Sequence, residues 1–131
     1  MNKKFELLLD DTIEVFGRKL FRIKAKINFS SVAAGELGGY IEKEENLSDD
    51  AWLSDDARVS GNALVSDDAR VSGNALVSGN ARVSGNALVS GNAWVYGDAE
   101  VSGDARVYGD AEVYGDAWVY GDARVYGDAE V

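Results

Sequence analysis

Residues Val71–Asp110 read VSGNALVSGNARVSGNALVSGNAWVYGDAEVSGDARVYGD. The pattern extends in both directions. From Leu47 the chain divides into fourteen consecutive hexapeptides ending at Glu130, with Val131 opening another. The consensus is V-[SY]-[GD]-[ND]-A-x. The first position is Leu47, Leu53, Val59 and then valine to the end. The fifth is alanine from Ala51 to Ala129 without exception. Only the sixth varies freely. A period of six does not fit an α-helix, and a Gly and an Asn or Asp in most units would destabilise one. A-x-V instead places Ala and Val on one side of a short extended segment. G-[ND] supplies a corner, because Gly and Asn tolerate left-handed backbone angles.

A strand and a corner every six residues wind the chain into a solenoid. Three strands per turn give a coil of ~18 residues, whose successive turns pair as parallel strands about 4.8 Å apart. One Val and one Ala per side fill a narrow interior, which explains why those positions do not vary. Each buried Val contributes roughly 1.5–3 kcal/mol, and stacking of coil on coil dominates stability. The expected fold is all-β: a three-sided parallel β-helix over 47–131, with a small N-terminal β cap and connector over 1–46.

The repeat resembles the hexapeptide repeat of left-handed parallel β-helices, a group that includes acyltransferases and γ-class carbonic anhydrases. That resemblance implies a left-handed coil, an exception to the usual right-handed crossover. The Ser or Tyr after each Val departs from the enzymes' usual Gly or acidic residue. A right-handed three-sided β-helix, as in bactofilins, is the competing geometry.

Residues 1–46 differ in kind. KFELLL reads as a strand, and TIEVFGRKLFRIKAKINF reads as a hairpin turning near Gly17-Arg18-Lys19. In its second arm Phe21, Ile23, Ala25, Ile27 and Phe29 face one way, expected to cover the first coil. Arg22, Lys24 and Lys26 face the other and make a basic head. Residues 1–30 hold seven Lys/Arg against four Asp/Glu, while the whole chain has net charge −10. A mildly basic head thus precedes a strongly acidic body, which argues against direct binding to nucleic-acid phosphates. The passage FGRKLFRIKAKINFSSVAAGELGGYIEKEENLS, followed by VYGDA units, resembles the start of uncharacterised phage, prophage and gut-bacterial proteins. The resemblance implies a virus-related origin and supplies no activity. Many of those proteins continue past the array, so this chain is expected to stop within it.

The sequence contains no cysteine and no histidine. Thiol nucleophiles, thiolate metal sites and imidazole bases are therefore excluded. The repeats leave no loop of irregular length to build an active site, so the expectation is a non-enzyme with no cofactor and no catalytic or metal residues. The leucine run near the N-terminus is too short for a signal core or a membrane span. The protein is expected to be soluble, in the cytoplasm of a bacterial host.

What remains is surface. At eighteen-residue spacing Asp98 falls near Asp116, Asp104 near Asp122 and Asp110 near Asp128, where carboxylates repel. They read as solubilising turn residues, as a cation ladder, or as an acidic stripe for a basic partner. The outward sixth position carries Trp52, Trp94 and Trp118, and late repeats carry Tyr96, Tyr108, Tyr114, Tyr120 and Tyr126. Exposed aromatics anchor protein interfaces, or they stack on one another as stabilising ladders. At Val131 the last coil is expected to end with unpaired backbone groups that template another strand. The reading is an acidic interaction and assembly protein, self-associating through its C-terminal coils and a late aromatic face of Trp94, Trp118, Tyr108, Tyr114, Tyr120 and Tyr126. A dimer is favoured, with a basic host protein as a further partner. The alternative is a DNA mimic that occupies a host DNA-binding or defence enzyme.

Overall fold

A computed structural model describes residues 4–15, 17–29 and 32–131. The hexads coil into a parallel β-solenoid of about five coils. Each of the first thirteen hexads contributes one two-residue strand made of its sixth position and the next Leu or Val, from Trp52–Leu53 to Arg124–Val125. Each strand pairs with those eighteen residues away, so Arg70–Val71 lies between Trp52–Leu53 and Leu88–Val89. Three ladders result. The first runs Arg58, Leu76, Trp94, Glu112 along its outward positions. The second runs Trp52, Arg70, Leu88, Arg106, Arg124. The third runs Leu64, Arg82, Glu100, Trp118.

The coils are joined by backbone bonds that repeat with the hexad. Ser72 N–H donates to Val89 O at 2.9 Å, and Asn74 N–H to Gly91 O at 2.8 Å. Inside, Val59 to Val113 and Ala57 to Ala111 are buried at every repeat. Each corner turns on a residue with positive φ. At Gly91 φ is +66°, and an added Cβ would stand 2.9 Å from the backbone nitrogen of Gly109 in the next coil. Gly here serves both the left-handed angle and the close stacking of corners.

The N-terminal residues form β1 (Phe5–Val15) and β2 (Arg18–Ala25), an antiparallel hairpin, and β3 (Leu37–Ile41). β2 pairs antiparallel with β3, and β3 pairs parallel with Arg58–Val59. The segment expected to be a connector therefore holds a strand of the first ladder, with Ile41 eighteen residues before Val59. Gly39 sits in the alanine column, where a Cβ would come within 2.3 Å of Ala57 O. This close approach accounts for the Gly-Gly before Tyr40. The buried Asn46 holds the short 3-10 turn that follows. Its Oδ1 accepts from the N–H groups of Glu42 and Lys43, while its Nδ2 donates to Gly61 O and Ala63 O.

The hairpin departs from simple alternation. KFELLL and TIEV are one strand, interrupted by a bulge in which pairing jumps from Leu8–Arg22 to Thr12–Phe21. Gly17, with φ +78°, occupies the turn, and Arg18 already lies in β2. Phe5, Ile23, Ala25 and Val32 join the solenoid core. Ile27, expected on that buried face, is 44% exposed, because β2 ends at Ala25 and the chain leaves the sheet. Leu20, on the other face, is fully buried against Val15, Tyr40 and Leu76.

Candidate interaction surface

The corner carboxylates come first, since they are the most regular charged feature. Asn62 Nδ2 donates to Asn80 Oδ1, and Asn80 Nδ2 to Asp98 Oδ1 at 3.2 Å. Asn74, Asn92 and Asp110 form a matching row, and Asn86 donates to Asp104. Asp98, Asp104 and Asp110 thus each accept an amide hydrogen from the coil before. Asp116, Asp122 and Asp128 lie one coil further on and are exposed. Among the described residues no group of three or more Asp or Glu is placed to hold a metal ion.

The three tryptophans occupy equivalent places in the repeat and three different environments. Trp52, expected to point outward into solvent, is only 2% exposed. The N-terminal residues cover it: Phe29 packs edge-on at 5.6 Å, and Gly38 lies so close that a Cβ would meet the indole at 2.7 Å. Trp94 is half-buried beside Leu76 and Val15. With the hairpin tip it bounds a groove of about 360 Å³ that Arg58, Asn74 and Asn92 also line. Trp118 is 62% exposed and tilted against Tyr120 at 5.8 Å.

The tyrosines also separate by ladder rather than forming one face. Tyr96 stacks on Tyr114 beside the first ladder, with ring centroids 5.3 Å apart and planes 10° apart. Tyr108 and Tyr126 stack with the same spacing and angle beside the second. Tyr120 stands with Trp118 on the third. Tyr96 O–H donates to Glu112 Oε1 at 3.0 Å, and Tyr114 O–H to Glu130 Oε1 at 3.2 Å. Burial, then the Glu112 hydrogen bond, raises the Tyr96 pKa above 10.0. For Tyr114 the bond to Glu130 is the leading cause of the same upward shift. Both effects favour the neutral phenol. Val131, whose backbone groups were expected to be unpaired, donates its N–H to Glu112 O and accepts at its carbonyl from Tyr114 N–H, because it lies one coil beyond Val113 in the same ladder.

The basic head is partly consumed within the molecule. Arg22 pairs with Asp11 at 2.9 Å, donates to Gly38 O and the Tyr40 hydroxyl, and lies 4.4 Å over the Tyr40 ring. Lys24 is half-buried and Lys26 exposed. Sequence reasoning missed Glu42, which accepts from Gly61 N–H at 2.7 Å and pairs with Arg18. Its place one residue after Ile41, itself six before Leu47, was the available signal.

Ladders of valine and alanine, unbroken corners and free variation at the outward sixth position define a β-solenoid repeat protein. The family model of the YdcK beta solenoid repeat matches the chain at residues 51–67, 57–73, 69–83, 81–97 and 105–121, so the solenoid is similar to that repeat. No curated protein matches the chain.

Proposed function

We propose that this is a non-catalytic, acidic interaction and assembly protein of phage or prophage type, which associates with further copies of itself in the cytoplasm of a bacterial host. In this reading the solenoid is three-sided and left-handed, as in the hexapeptide-repeat proteins it resembles, and residues 1–46 cap its first coil. The phage attribution rests on the resemblance carried by the GELGGYIEKEENLS passage. The non-catalytic reading rests on a chain without histidine or cysteine and on repeats that vary freely only at the outward sixth position.

One observation carries the assembly reading. Trp118, Tyr120 and Tyr126, at and beside the late strands, are 62%, 64% and 58% exposed, while the earlier Trp52 is covered by the chain itself. Large aromatics supply contact area at low entropic cost and anchor interfaces. The deciding experiment is light scattering behind size exclusion across protein concentration. The wild type is expected to exceed monomer mass, a dimer being the favoured first species. Trp118→Ala with Tyr120→Ser and Tyr126→Ser is expected to weaken association at least tenfold. A wild type that stays monomeric overturns self-association. That outcome favours the second reading, in which the exposed rows of corner carboxylates mimic DNA for a basic host enzyme.

A further inference from the structure

The outward residues of the late coils sort by charge in a way that composition hides. On the second ladder Arg106 and Arg124 are register partners, one directly above the other. Both are exposed, and neither has an ion-pair partner among the described residues. On the first ladder Glu112 and Glu130 are partners in the same sense. Each charged pair is flanked by a stacked tyrosine pair of the same geometry: Tyr108–Tyr126 beside the arginines and Tyr96–Tyr114 beside the glutamates, both at 5.3 Å and 10°. Both faces carry a stacked tyrosine pair, and they have opposite signs.

We propose that copies of this chain associate side by side, the Arg106–Arg124 ladder of one meeting the Glu112–Glu130 ladder of the next. The proposal rests on the self-association reading and specifies its contact. Both ladders repeat at the coil spacing of about 4.8 Å, so two arginines meet two carboxylates in register without strain. The tyrosine hydroxyls engage one oxygen of each glutamate and leave the other for a guanidinium. Arginine suits this role because its guanidinium stays charged and makes strong charge-assisted hydrogen bonds to a carboxylate oxygen. The flanking tyrosine pairs supply apolar area around the charges. Corner carboxylates border both faces, and the molecules repel at long range. That repulsion is screened beyond about 8 Å at physiological salt, whereas contacting pairs are not.

The two faces are different patches, so the contact is heterologous. A copy bound through its arginines still offers its glutamates. Association therefore continues past the dimer unless a ring closes. An isologous dimer through either ladder sets like charges against each other and is disfavoured.

The test uses two charge-reversed chains, Arg106→Glu with Arg124→Glu, and Glu112→Arg with Glu130→Arg. The first chain carries acid on both faces and the second carries base on both. All four positions are outward sixth positions, where the repeat already accepts Arg, Leu, Trp and Glu, and far-UV circular dichroism checks each fold. At a concentration where the wild type is mostly associated, each variant alone is expected to run as a monomer. An equimolar mixture is expected to recover wild-type mass by light scattering. If either variant unfolds, Arg106→Gln with Arg124→Gln replaces the reversal and is expected to weaken association at least tenfold. Association that survives either reversal, or a mixture that does not recover mass, overturns the ladder contact and leaves self-association through Trp118 and Tyr120 standing. A monomeric wild type removes both.

Discussion

The third position of the hexad is Gly in most repeats but Asp at 49, 55 and 67, and all of these residues hold a left-handed backbone, the aspartates with φ of 56–58°. Left-handed geometry costs an ordinary residue about 1–2 kcal/mol, and Asp tolerates it because its short side chain finds local hydrogen bonds. Here the bond reaches the next coil. Asp67 Oδ2 accepts from Gly85 N–H at 3.0 Å, Asp55 from Gly73, and Asp49 from Asp67. The expected consequence is a sharp difference between two substitutions. Asp67→Asn keeps an acceptor and the tolerance of left-handed angles, and should change stability by less than about 0.5 kcal/mol. Asp67→Ala loses both and should cost about 1–3 kcal/mol. Chemical denaturation measures the difference, and hydrogen exchange at Gly85 localises it. SDD and SGN read alike as corners in sequence, because a corner needs only the angle. The bond that separates them spans eighteen residues and exists only once the coils are stacked.

At the scale of the element, the hexad period determined which residues enter the ladders, and Val59, Ala57 and their equivalents lie where it placed them. It did not determine what covers the outside. Trp52, Trp94 and Trp118 share one place in the repeat, and they differ because Phe29 and Gly38 close over Trp52, Val15 reaches Trp94 and Trp118 stands exposed. Phe29 and Gly38 lie beyond the end of β2, and Val15 packs with Leu20, which sits on the face that alternation assigns to solvent. Trp52 carries the clearest energetic consequence. Its ring is buried, and its indole N–H has no hydrogen-bond partner among the described residues. Trp52→Ala removes the contact with Phe29 and leaves a cavity, with an expected cost of about 3–5 kcal/mol. Trp52→Phe keeps much of the volume and deletes an unsatisfied donor, so its cost should stay below about 2 kcal/mol. Thermal melts of the two variants test this. A phenylalanine variant as unstable as the alanine one would show that the N–H is satisfied in solution.

The whole molecule has two periods that do different work. The core repeats every six residues, because each Val and Ala sees the same surroundings. The outer surface repeats every eighteen, because a side chain's ladder neighbours lie one coil away. Deletions separate the two. Removing residues 101–106 joins Glu100 to Val107 and keeps every later Val and Ala pointing inward. The shortened protein should fold cooperatively, with a modest loss from one missing repeat, as expected for a stack of nearest-neighbour units. Every outward side chain beyond the junction then moves to the next ladder, so Glu112 no longer lies above Trp94 and Tyr114 no longer stacks on Tyr96. Removing residues 101–105 instead joins Glu100 to Arg106 and puts every later hexad out of step with the corners, driving polar residues toward the core. Circular dichroism of the five-residue deletion should show the later coils lost, and that of the six-residue deletion should not. The absorbance titration of tyrosine tests the surface period in the six-residue deletion. With Glu112 displaced from Tyr96 by the deletion itself, at least one phenol that titrates above the ordinary value in the wild type should return toward it. Equal damage from both deletions would mean that the core, like the surface, is tied to the eighteen-residue coil.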